Sequence, residues 1–179
     1  MAPEVVERAA GGDHVAFTQL VRHYDERLRV LAYRILGDRA SMDDALQEAY
    51  VKAYRAMPGF RGDAAVGTWL YRITYHCCLD LLRREGRHRA AVSLEAVEEA
   101  AGDPAAEPGR LVAERAELAR ALDALPPDQR VAVLLVDTEG FDYAAAGEVL
   151  GVPAGTVASR LSRARAALRA ALAGGEQER

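Results

Sequence analysis

Apolar side chains recur in this chain at three- and four-residue steps, and that spacing dominates every long patterned segment. After Gly11-Gly12-Asp13, the series Phe17, Leu20, Val21, Tyr24, Leu28, Leu31, Ala32, Ile35 and Leu36 follows one helical face until Gly37 breaks it. A helix with one apolar stripe must bury it against another element. Aromatic residues amount to only 6% of the chain, while Ala, Leu and Arg are plentiful, so the partners are expected to be helices. The expected fold class is all-α.

The same pattern places the other elements. A short helix is expected over residues 3–10, with Asp13 as the N-cap of the long helix that follows. Another is expected over residues 41–56, ended by Pro58-Gly59. Gly59, Gly62 and Gly67 make the next loop irregular, with Phe60 and Val66 as anchors. A third helix is expected over residues 68–84. Helical pattern fades near Gly86 and resumes at Leu111, with stops at Pro126-Pro127, Glu139-Gly140 and Gly151-Val152-Pro153. Between them, residues 93–109 hold five acids, no base, and Pro104 and Pro108. The expected organisation is two small helical domains, residues 1–88 and 111–179, joined by a flexible acidic linker at 89–110.

Charge narrows the function. The net charge is −4, so composition does not announce a nucleic-acid binder. Residues 156–173, however, carry Arg160, Arg163, Arg165 and Arg169 and no acid. Phosphate contact depends on such a local field. The two cysteines, Cys77 and Cys78, are adjacent, about 100° apart on a helix, and are read as reduced thiols. His76 beside them lacks the spaced ligand pairs of a closed zinc site, so no metal and no cofactor are expected. No apolar run reaches membrane-spanning length and the N-terminus lacks a signal-peptide plan, so the expected location is cytoplasmic.

Residues 143–168 read as a short helix, a glycine-containing turn and a second helix, the helix-turn-helix plan of DNA readers. On the second helix Val157, Leu161, Ala164, Leu168 and Leu172 form one apolar stripe. Thr156, Ser159, Arg160 and Arg163 form another face, about 120° away. Guanidinium forks and hydroxyls at the N-terminal half of such a helix suit base edges and phosphates. A solvated basic helix on any helical domain has the same pattern.

Family resemblance sharpens this. Leu125-Pro126-Pro127-Asp128-Gln129-Arg130, Gly140-Phe141-Asp142-Tyr143 and the run from Leu150-Gly151-Val152-Pro153 through Gly155-Thr156-Val157-Ala158-Ser159-Arg160-Leu161 to Arg163-Ala164-Arg165 closely resemble the C-terminal domain of extracytoplasmic-function (ECF) RNA polymerase sigma factors. That resemblance implies that Thr156, Ser159, Arg160 and Arg163 read the minus-thirty-five promoter element. Ala158 stands where the family string has Lys, which removes one phosphate contact.

The N-terminal part carries the resemblance further. Asp43-Asp44-Ala45-Leu46-Gln47-Glu48-Ala49-Tyr50 is similar to the family's polymerase-binding helix, which docks on the beta-prime clamp. Helical spacing alone puts Asp43, Asp44, Gln47 and Glu48 on one arc over an apolar base, a pattern shared with plain solvated faces. The loop from Phe60 and Arg61 to Gly67 looks like the family's element for a base flipped from the minus-ten region, while Trp69 reads as a core anchor. The stretch from His76 through Asp80 to Arg83-Arg84 matches the minus-ten helix, with His76 in place of the family's Asn. Asp63-Ala64-Ala65-Val66 and Cys78-Leu79-Asp80 resemble the actinobacterial sigma-M-like group.

The implied partners are core RNA polymerase, promoter DNA and an anti-sigma factor. The competing reading is a stand-alone helix-turn-helix regulator, whose usual sensor pocket or dimerisation heptad has no counterpart in the sequence. An enzyme is not expected, since no glycine-rich phosphate loop or nucleophile arrangement occurs.

Overall fold

A computed structural model describes the backbone of residues 1–92 and 110–177, and the side chains of 1–84 and 117–173. The described chain is helical, without strands, and forms two compact units, one N-terminal and one C-terminal. The acidic linker expected at 89–110 falls almost wholly outside the described residues.

The N-terminal unit contains α1 (Pro3–Ala10), α2 (His14–Leu36), α3 (Arg39–Ala56) and α4 (Val66–Val92), with a 3-10 turn at Met57–Gly59 after α3. Asp13 caps α2 as expected, its Oδ1 accepting from the N–H groups of Val15 at 2.8 Å and Ala16 at 3.0 Å. Gly37 closes α2 in the left-handed region, φ 84°. The core is the expected stripe: Phe17, Leu20, Leu28, Leu31, Ala32 and Ile35 from α2 meet Leu46, Ala49 and Ala53 from α3 and Leu70, Tyr71, Cys77 and Cys78 from α4.

Helices α3 and α4 differ in their bounds from the sequence expectation. Asp38, not a residue nearer Ser41, caps α3 by accepting from Ser41 N–H at 2.8 Å, so the helix starts at Arg39. Helix α4 starts at Val66 and runs to Val92 instead of stopping at Arg84. A single glycine costs a helix interior only about 1 kcal/mol, and Gly86 has no proline beside it to enforce a stop.

The C-terminal unit contains α5 (Arg110–Asp123), α6 (Pro127–Val133), a π-helical turn (Leu134–Thr138), α7 (Tyr143–Leu150) and α8 (Ala154–Gln177). Arg130 reaches back to accepting carbonyls at the end of α5, including Leu125 O at 3.1 Å. Asp142 caps α7 through Ala145 N–H at 2.7 Å. Val131, Ala132, Leu135, Ala146, Val157, Leu161 and Ala164 form the core. Among the described residues, no helix is long and apolar enough to cross a membrane.

Candidate nucleic-acid interface and docking face

In α8 the apolar stripe is the one the spacing predicts. Val157, Leu161 and Ala164 are buried, and Leu168 and Leu172 become half-exposed toward the end of the helix. Burying a Val or Leu side chain stabilises by about 1.5–3 kcal/mol, which fixes the rotation of α8 and thereby the direction of the opposite face. Ser159 and Arg163 lie exposed on that face and Thr156 is half-buried. The Ser159 hydroxyl donates to Thr156 O at 2.9 Å, and Arg163 Nε donates to Ser159 O at 3.3 Å. Both side chains are thus held along the helix at its N-terminal half.

Arg160 behaves differently from the other members of its face. Its Nε lies 3.0 Å from Asp128 Oδ2 on α6, and its side chain is only 19% exposed. Arg165, one turn on, is bound by both carboxylate oxygens of Asp137, with Nε 3.1 Å from Oδ2. That fork holds the Arg165 guanidinium charged and pushes its pKa up. Two of the four arginines between 156 and 173 are therefore paired within their own unit. The helical spacing placed Arg160 on the reading face, but an acid 32 positions earlier in sequence is invisible to that spacing.

On α3, Asp43, Asp44 and Gln47 are exposed and Glu48 is half-buried. Beneath them, Leu46, Ala49, Ala53 and Met57 are buried, the apolar base expected from the sequence. Arg29 on α2 ties the stripe down, with Nε 2.9 Å from Asp25 and Nη1 2.7 Å from Asp43. Tyr50 Oη donates to Asp25 at 2.6 Å. Burial pushes the Asp25 carboxyl up, but the hydrogen bonds from Tyr50 and Arg29 outweigh it and hold the group below its ordinary 3.8.

Glu48 joins α3 to α4. Lys52 Nζ sits 2.9 Å from Glu48 and 3.8 Å from Asp80, Arg84 lies 3.3 Å from Glu48, and Arg83 lies 3.2 Å from Asp80. The hydrogen bond from Lys52 holds Glu48 below its ordinary 4.5, against burial and with help from Arg84. The structure thus brings Glu48 from the acidic α3 stripe into one charge network with Asp80, Arg83 and Arg84. Exposed ion pairs are each worth about 0–1 kcal/mol, so these side chains exchange readily for a partner's groups.

These carboxylates make acid sensitivity predictable. A pKa lower in the folded than in the unfolded chain gives stability that is present above the unfolded value and lost as pH falls through the folded one. The N-terminal unit is expected to keep its melting midpoint from neutral pH to about pH 5 and to lose it progressively below. Circular-dichroism melts across that range check this, and Tyr50→Phe is expected to flatten the loss.

Phe60 is half-buried against Trp69, ring centroids 5.2 Å apart, and Arg61 is exposed. Trp69 is not the core anchor read from the sequence. It is half-buried, and the buried positions of this turn are Thr68, Leu70 and Tyr71. Trp69 lines a shallow groove of about 330 Å³ with Lys52, Ala56, Arg72, Ile73 and His76. His76 is exposed, and its Nδ1 donates to Arg72 O at 2.7 Å, which directs Nε2 outward. Sequence reasoning missed Lys52 and Arg72 as parts of this groove, because α3 and α4 meet there only in the fold. Cys77 and Cys78 lie behind it, 1% and 0% exposed. Burial pushes both thiols up, Cys78 to about 12.

Residues 20–88 match the Sigma-70 region 2 family and residues 115–168 match Sigma-70, region 4. The chain is 42% identical over 165 residues to the ECF RNA polymerase sigma factor SigM of Mycobacterium tuberculosis, covering 92% of this chain and 81% of that protein. It is 35% identical over 173 residues to the ECF RNA polymerase sigma-E factor of Escherichia coli K12, covering 92% and 90%. Among solved structures, the sigma factor RpoE in complex with the anti-sigma factor NepR from Bartonella quintana matches with a TM-score of 0.74 at 28% identity, covering 87% of this chain and 96% of that one. CnrH in complex with the cytosolic domain of CnrY matches at 0.68 and 28% identity, covering 95% and 96%. The two matched regions carry the two candidate surfaces, and the chain belongs to the ECF RNA polymerase sigma factors, a family of transcription initiation factors.

Proposed function

We propose that this sigma factor divides promoter recognition between its two units. The α3 face of Asp43, Asp44, Gln47 and Glu48 docks on the beta-prime clamp of core polymerase. Phe60, Arg61, His76, Asp80, Arg83 and Arg84 engage the minus-ten region, and Thr156, Ser159, Arg160 and Arg163 read the minus-thirty-five element. The observation that carries this reading is the rotation of α8: its buried Val157, Leu161 and Ala164 turn Ser159 and Arg163 to solvent at the helix's N-terminal half. The factor acts in the cytoplasm and carries out no chemistry itself. An anti-sigma protein restrains it by covering the docking face, the α8 face, or both, a reading supported by the complexes in which RpoE and CnrH were solved.

Run-off transcription from genomic fragments with reconstituted polymerase tests the assignment. Arg163→Ala and Arg160→Ala are each expected to cost about 1–3 kcal/mol of discrimination at upstream positions, leaving minus-ten preference unchanged. Unchanged transcription across promoter variants would remove these residues from the readout.

A further inference from the structure

Arg160 belongs to the proposed reading face, yet its side chain is 19% exposed and paired with an acid. The geometry of that pair resolves the conflict. Asp128 sits in the first turn of α6, outside the helix-turn-helix, and is itself 44% exposed. Its Oδ2 lies 3.0 Å from Arg160 Nε, an ion pair. A guanidinium has five N–H donors on a rigid plane, and the carboxylate sits at its Nε end. The terminal Nη edge carries the fork that matches guanine O6 and N7. A charge partner at the Nε end restricts the rotamers of the side chain, and so reduces both the spread of that fork and the entropy otherwise lost on binding.

We propose that Asp128 is a positioning residue for promoter readout, holding Arg160 through an ion pair at its Nε end so that its terminal fork meets a purine edge in the upstream element. The inference rests on the assignment of Arg160 to that element. It makes Asp128 a specificity residue that touches no DNA and belongs to a different helix from the one that reads. It also predicts a signature opposite to that of a simple DNA-binding residue. Asp128 is an acid close to a phosphate-facing surface, so removing its charge strengthens non-specific attraction while the orientation of Arg160 is lost. Damage to the unit would weaken both.

The test uses holoenzyme reconstituted from core polymerase and the full chain. Wild type, Arg160→Ala, Asp128→Asn, Asp128→Glu and the double variant Asp128→Asn/Arg160→Ala are compared on promoters substituted one base pair at a time through the upstream element. Binding of each factor to a non-promoter duplex is measured in parallel. Arg160→Ala is expected to erase about tenfold discrimination at one or two adjacent base pairs. Asp128→Asn is expected to erase most of the same discrimination at the same positions, with non-promoter binding equal or tighter. Asp128→Glu restores at least part of it, and the double variant is no worse than Arg160→Ala alone. A wild-type discrimination profile for Asp128→Asn beside an altered one for Arg160→Ala overturns the inference and leaves the readout assignment standing. So does a loss spread over all positions with weaker non-promoter binding. A wild-type profile for Arg160→Ala removes the assignment and the inference together.

Discussion

Gly147→Ala is expected to cost the C-terminal unit about 3 kcal/mol or more. Gly147 lies inside α7, where glycine is normally a weakness. Here a Cβ would stand 2.6 Å from the carbonyl oxygen of Val152, a backbone atom of the turn that joins α7 to α8. A side chain could swing away, but this oxygen cannot, because Val152 N–H donates to Gly147 O at 3.0 Å and pins the same turn. Relief requires α7 and α8 to open, which uncovers Val157 and Leu161. Gly151→Ala is the informative contrast. Gly151 has φ 67° but open space around it, so alanine there costs about 1–2 kcal/mol of backbone strain and no clash. Denaturant unfolding of the full chain, followed by helical signal, measures both. The transition of the N-terminal unit is expected to stay in place, while that of the C-terminal unit moves far more for Gly147→Ala. Equal midpoints for the two variants would show that the turn relaxes around the added methyl.

The second large effect concerns the factor alone against the factor on core polymerase. Promoter footprints are expected only with polymerase, with specific affinity at least about a hundredfold weaker for the isolated chain. The reason is electrostatic as well as geometric. The chain carries net −4, and of the arginines on α8, Arg160 and Arg165 are neutralised by Asp128 and Asp137. In the N-terminal unit Arg83 and Arg84 are likewise neutralised by Asp80 and Glu48. Among the described residues, these pairings reduce the uncompensated basic charge from which a free protein draws its phosphate-driven affinity. A scaffold that fixes both units at promoter spacing turns the second contact into an intramolecular one. Tight sequence-specific binding by the isolated chain at physiological salt would favour a self-sufficient regulator instead.

Much of this was legible in the sequence where the governing physics is local. Asp13 was readable as a cap because a short acid immediately before a periodic run has one cheap use, accepting the first free amides. The rotation of α8 was readable because Val157, Leu161 and Ala164 repeat at helical spacing. Expectation failed where the deciding partner is distant or absent from the pattern. Helix α4 passes Gly86 because nothing nearby stops it. Trp69 faces a groove instead of the core because the partner surface, around Lys52 and Ala56, comes from α3. Arg160 looks like a free cation on a helical wheel, and only packing of α6 on α8 supplies Asp128. The proposed site was thus readable as a set of surfaces, whereas the pairing that sets how those surfaces are charged belonged to the tertiary structure.

The burial of Cys77 and Cys78 has a practical consequence. Alkylating reagents attack a solvent-reached thiolate, and both native sulfurs are enclosed and held protonated by their surroundings. Their modification waits on opening of the N-terminal unit's core, whereas a cysteine introduced at an exposed position reacts directly. Fluorophores or spin probes can therefore be attached at one chosen position in each unit without first removing the natural cysteines, and the separation of the probes followed as the factor passes from solution to polymerase to promoter.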